Sequence, residues 1–173
     1  MPDFRFHTAA LALAALLATG SAVATELQFN FNGSADSGPL AGETFTGSFA
    51  YDDSGVGLGF SGDVLLSSFV LTFAGLAYTL ASADAAPVAV FADGSLLGLG
   101  YADADSPDLA VRPDVALVAG YLALDEAYFS YEGVGAAGGF GSLNISAVPE
   151  PGSLALLLAG VAGVGVAARR RRG

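Results

Sequence analysis

Leu27-Gln28-Phe29-Asn30-Phe31-Asn32 alternates apolar and polar side chains at every step, and Thr44-Phe45-Thr46-Gly47-Ser48-Phe49-Ala50-Tyr51 repeats the rhythm with Phe45, Phe49 and Tyr51 on one face. Successive side chains of a strand point to opposite faces, so a period of two marks strands with one buried side and one wet side. Working outward, Phe69, Leu71 and Phe73 continue the pattern, as do Leu76, Tyr78 and Leu80. Further strands are expected at Val88 to Phe91, Leu96 to Tyr101, Ala127 to Tyr131 and Gly139 to Ser146, while Val115 to Leu124 fits a strand or a helix. Between the runs lie Asn32-Gly33-Ser34, Asp36-Ser37-Gly38-Pro39, Asp52-Asp53-Ser54-Gly55, Asp93-Gly94 and Glu132-Gly133. This is turn chemistry, because Gly supplies positive φ and Asx side chains bond their own backbone. Asp93-Gly94, between two apolar runs, is the clearest hairpin signal. Eight or nine short strands at intervals of roughly ten residues predict an all-β fold, a single antiparallel sandwich or barrel-like domain.

Both flanks of this region read differently. Arg5 and His7 precede the apolar run Ala9 to Ala18, followed by Thr19-Gly20-Ser21 and Ala22-Val23-Ala24. A positive start, a short apolar stretch and small residues at the −3 and −1 positions make a secretory signal peptide. Residues 1–24 are therefore expected to form the signal-peptide helix, with Ala22 and Ala24 before the cut and Thr25 after it. At the other flank, Val148-Pro149-Glu150-Pro151-Gly152-Ser153 leads into fifteen uncharged apolar residues, Leu154 to Ala168, then Arg169, Arg170, Arg171 and Arg172. Counted from Gly152, this stretch is at the low end of what spans a hydrocarbon core of ~30 Å, so a C-terminal transmembrane helix is expected. The arginines favour the cytoplasmic side and act as a stop-transfer cluster, which places the preceding domain outside the inner membrane.

Residues 25–147 remain as an exported domain. Residues 25–148 carry fifteen of the seventeen acids and one base, Arg112, a formal charge of −14 against −11 for the whole chain. So little positive charge argues against nucleic acid, whose affinity for proteins comes largely from Lys and Arg on phosphates. With no Cys or Lys in the chain and His7 and Met1 inside the signal segment, the domain also lacks His, Trp and Met. That inventory excludes a Ser-His-Asp triad, a Cys-His pair, a Schiff-base lysine, a disulfide framework and a His-ligated zinc site. No catalytic residue is assigned, and the domain is expected not to be an enzyme.

Carboxylates are the remaining chemistry. A glycosidase needs two across a cleft, but in Asp52-Asp53 and Asp125-Glu126 neighbouring strand residues point to opposite faces. Asp103, Asp105 and Asp108 offer hard oxygen ligands to Ca²⁺, although the spacing departs from a helix-loop-helix calcium loop, with Pro107 at its fifth position and Asp108 at its sixth. A polar loop is the main expectation there, and no metal or cofactor is assigned. Sixteen Phe and Tyr lie in the domain. The phenylalanines are expected in the core; Tyr101, Tyr121, Tyr128 and Tyr131 are those expected to be exposed, where sugars could stack on them.

Pro149-Glu150-Pro151, a short apolar helix and an arginine cluster together resemble the PEP-CTERM sorting signal of Gram-negative bacteria, over Val148 to Gly173. Gly47-Ser48-Phe49-Ala50-Tyr51-Asp52 also resembles a stretch common in exported proteins of this kind; the domain itself is assigned to no family. The resemblance implies an exosortase as partner, a membrane-embedded enzyme that cleaves near the motif and releases or transfers the protein outward, and a context of exopolysaccharide and biofilm matrix. The expected route is a transient single-pass inner-membrane intermediate, C-terminus cytoplasmic, then the cell surface or the extracellular space. The expected role is structural or adhesive, with exopolysaccharide as a possible partner. A carbohydrate-binding module is the alternative, and a hydrolase with two carboxylates the third reading.

Overall fold

The computed structural model describes residues 26–104, 108, 111–133, 137–149 and 160. The expected signal segment with Ala22, Ala24 and Thr25, then Asp105, Glu150 and Pro151, and Arg169 to Arg172 lie outside the described residues, as does all but Gly160 of the expected transmembrane helix.

The alternating stretches form nine strands: β1 (Glu26–Ala35), β2 (Thr44–Asp52), β3 (Gly62–Phe73), β4 (Leu76–Thr79), β5 (Val88–Ala92), β6 (Ser95–Asp103), β7 (Asp114–Val118), β8 (Tyr128–Glu132) and β9 (Gly138–Ala147). Every pairing is antiparallel, and β1 lies between β2 and β9. Because β2 also pairs with β3, eight strands close into a ring in the order β1, β2, β3, β5, β6, β7, β8, β9. β4 is a side strand that shares one edge of β3 with β5. The outcome is a closed up-and-down barrel rather than a sandwich. Closure satisfies the edges that open sheets leave unpaired.

Register and turn chemistry explain the path. Asp93 and Gly94 both have positive φ, 49° and 77°, and join β5 to β6 as the expected two-residue hairpin. Ala74 (φ 51°) and Gly75 (φ 75°) make the corresponding turn between β3 and β4 without an Asx residue to announce it. Val115 to Leu124 resolves as the short strand β7, a loop and the start of a 3-10 turn, Leu124–Glu126. Leu80, expected to end a strand, begins another 3-10 turn, Leu80–Ser82, which Thr79 caps.

Eight strands enclose a space that side chains can just fill, and here aromatic rings do so. Phe31, Phe45, Phe49, Phe69, Phe73, Tyr78 and Phe129 are all buried. Phe69 stacks on Tyr101 at 4.2 Å between centroids, and Phe129 meets Phe45 at 4.4 Å and Phe73 at 4.8 Å. Two glycines make room. Phe31 lies opposite Gly47 and Phe45 opposite Gly33, so each strand offers a ring to the other's glycine. A Cβ on Gly47 would stand 2.1 Å from the Phe31 ring and 2.3 Å from the Val70 carbonyl oxygen.

The meander also sorts the loops. The chain enters at Glu26, and strands alternate in direction, so β2–β3, β5–β6 and β7–β8 turn at the end where β1 begins and β9 ends. This is called the base below. The β1–β2, β6–β7 and β8–β9 loops turn at the opposite end, the mouth.

Candidate functional site

At the mouth, inward positions carry polar tips. Asp103, the one buried charged residue among those described, is paired with the Arg112 guanidinium, which also lies 4.2 Å from the centroid of the Tyr78 ring. That pairing holds the Arg112 pKa above its ordinary value. Tyr78 donates its hydroxyl proton to the Pro113 carbonyl at 2.8 Å. Tyr131 donates to the Ser37 carbonyl and accepts from the Leu40 N–H, while the Tyr101 hydroxyl is 3.0 Å from the Ser82 hydroxyl. Tyr101 and Tyr131, expected on the surface, are thus buried. A tyrosine near a strand end can bury its ring and still reach loop backbone with its oxygen. Burial pushes the Tyr78 hydroxyl up to about 12 and raises those of Tyr101 and Tyr51 as well, Asp53 adding to the rise at Tyr51.

Of the calcium candidates, Asp103 and Asp108 fall among the described residues and Asp105 outside them. Asp103 faces inward against Arg112, and Asp108 lies in the β6–β7 loop, where its carbonyl accepts from the Val111 and Arg112 N–H groups. Among the described residues no group of three acids is arranged to hold a metal ion.

A groove of about 840 Å³ opens on the outer face of the barrel at its mouth half. Its floor is a row of small residues, Ala102, Ala116 and Ser130, which are register partners across β6, β7 and β8. Phe140 is the next residue in that row, and Tyr128 stands two residues along β8 toward the base; they are 61% and 44% exposed. On the mouth side, Asp114 and Glu132 face each other across the β7–β8 pair. The groove therefore offers two aromatic rings and two carboxylates on one wall of sheet. Phe140, expected in the core, points outward because Gly139, Gly141, Leu143 and Ile145 take the inward positions of β9. Counting parity back from Leu143 and Ile145 would have found it. The pair Asp114 and Glu132 needed the strand register.

At the base, the β2–β3 loop folds under the barrel, with Phe60 edge-on to Phe91 at 5.8 Å, and leaves Leu58 fully exposed. In the β7–β8 loop the Glu126 carboxylate accepts from the Tyr121 and Leu122 N–H groups at 2.9 and 2.7 Å, and both apolar side chains project into solvent. The Leu122 bond in particular holds the Glu126 pKa below the ordinary carboxylate value. Asp52 is lowered likewise by the Ser54 N–H. One acid of each sequence-adjacent pair, Asp52 and Glu126, thus braces a loop.

β9 ends at Ala147, and the Val148 N–H still donates to the Gln28 carbonyl. Pro149 follows at once, the described end of the expected sorting motif. A closed barrel whose last strand runs straight into a proline-flanked apolar segment is a cargo domain joined to an address. The address is identified by comparison: residues 147–172 match the family model of the PEP-CTERM protein-sorting motif, one residue offset from the reading above. The chain carries a PEP-CTERM sorting domain, and the motif implies exosortase processing and export through a membrane-anchored C-terminal signal. No curated protein and no solved structure matches the chain.

Proposed function

We infer that the protein is a non-enzymatic structural or adhesive component of the producing cell's surface matrix, held transiently in the inner membrane with its arginine cluster inside and then passed outward. The observation that carries this reading is the junction at Ala147, where a completed barrel gives way to the sorting motif. Two features support a matrix role. The interior is occupied by aromatic rings, which fits a solid module better than a container, and the excess of carboxylates can bridge divalent cations to anionic polysaccharide. The groove favours a second reading, a carbohydrate-binding module in which sugars stack on Tyr128 and Phe140 and hydroxyls donate to Asp114 and Glu132.

Cosedimentation of the exported protein with the producer's own exopolysaccharide, with and without Ca²⁺, separates these. Binding that survives chelation and is lost in Tyr128→Ala/Phe140→Ala supports the groove. Binding that chelation abolishes and the double variant retains supports cation bridging. Absence of binding in both conditions overturns the matrix role, and shortening of the polymer would return the carboxylate hydrolase, with Asp114 and Glu132 as the pair to test.

A further inference from the structure

The end of the barrel at which β9 finishes carries three exposed apolar loop residues, against Val111 at the mouth. Leu58 is 105% exposed, Tyr121 86% and Leu122 75%. The β5–β6 turn lies between the two loops that bear them: the Gly94 N–H donates to the Phe60 carbonyl, and the Gly120 N–H to the Leu97 carbonyl. The tips are also braced. Leu58 stands in a loop pinned through Phe60 and Val56 to the core, and Tyr121 and Leu122 hang on the Glu126 carboxylate. Three apolar side chains are thus held out into water on braced loops at one end of the barrel.

What covers them follows from where the chain goes. Val148 is still hydrogen-bonded to β1, and the apolar run begins at Leu154, so the intervening residues reach at most about 20 Å when fully extended. A barrel tethered on so short a leash keeps its base at the bilayer. We propose that Leu58, Tyr121 and Leu122 form a rim that docks on the lipid surface and sets the barrel upright, mouth outward, while the chain is anchored. The proposal rests on membrane anchoring by the segment after Val148. Tyrosine is suited to the interfacial layer, where its ring is apolar and its hydroxyl stays wet. Carboxylates of Glu26, Asp52, Asp53, Asp93, Asp125 and Glu126 sit at the same end, so the contact is apolar, is strongest on zwitterionic lipid and weakens on anionic lipid. Three side chains are a small contact. Tethering makes it effective by raising the local concentration of bilayer, and separation from the anchor removes that advantage.

The chain has no Trp, so one introduced indole reports its own position. The full chain bearing Tyr121→Trp is reconstituted in phosphatidylcholine vesicles, with and without acyl-brominated lipid, beside a chain bearing Val111→Trp at the mouth, where Val111 is 70% exposed. Flotation with the vesicles checks anchoring independently. The expected result is flotation of both, about two-fold or greater quenching at position 121, and little at position 111. Adding Leu58→Ser and Leu122→Ser, both at exposed positions, removes the quenching and leaves the circular dichroism spectrum unchanged. Flotation with no quenching at 121, equal quenching at both positions, or a blue shift that depends on protein per vesicle rather than on bromine overturns the rim; the last would indicate a second copy. Failure to float overturns the anchoring, and the rim with it.

Discussion

Arg112 is the single base between the two flanks, and it is placed on the single buried acid of the described residues. Removing one partner of such a pair leaves the other charge without compensation, whereas replacing both by apolar groups is often neutral. Arg112→Ala should therefore lower the unfolding free energy by about 3 kcal/mol, and Asp103→Leu/Arg112→Leu should recover most of it, as read by urea denaturation. An equal loss in the double variant would show that the pair was not the source. Tyr78 gives a pH prediction. Its folded pKa of about 12 exceeds the ordinary value of 10.0, so the folded barrel prefers the neutral phenol. That stability is fully present below pH 10 and drains away as pH rises from 10 toward 12, while the unfolded chain ionises first. Tyr78→Phe should flatten this part of the alkaline denaturation curve. An unchanged slope would place the loss elsewhere.

At the level of elements, the reciprocal fit of β1 and β2 makes the sharpest demand. The Phe31 ring occupies the space over Gly47, and the carbonyl of Val70 on β3 closes it from the other side. Gly47→Ala must displace a ring and a backbone oxygen together, and overpacking of this kind costs about 1–3 kcal/mol. Gly55→Ala, where a Cβ meets nothing within 4 Å, is the control and should change the thermal midpoint little. These strands were legible in the sequence because each buries one face, and period two is the direct trace of that. β7 was ambiguous because a five-residue strand followed by a loop of apolar tips has no clean period. The Ala74-Gly75 turn was marked only by Gly75 and by the break between the two apolar runs, because alanine at positive φ carries no turn signal. Of the groove, the sequence offered Tyr128 alone. Tyr101 and Tyr131 were misplaced because composition does not reveal whether a loop carbonyl waits for the hydroxyl.

The described barrel is a ring of strands with nearly one sign of charge. Self-repulsion among fifteen acids opposes folding, and salt screens exposed charges while sparing the Asp103–Arg112 pair. Raising NaCl from about 10 to 200 mM should lift the thermal midpoint by a few degrees, measured by circular dichroism. A fall would mean that favourable ion pairs dominate. At the closing seam, β1 is the first of the described strands along the chain and its neighbour β9 the last, with Asn30 and Ser146, partners across that seam, 116 residues apart. Without β9, β1 presents one open edge and the sheet cannot become a cylinder, so closure depends on the contact of greatest separation in sequence. The sorting motif begins at the residue where that last strand ends. The closing strand of the barrel and the sorting motif thus share Ala147, so a seam that fails to close disturbs the very residue at which the motif begins.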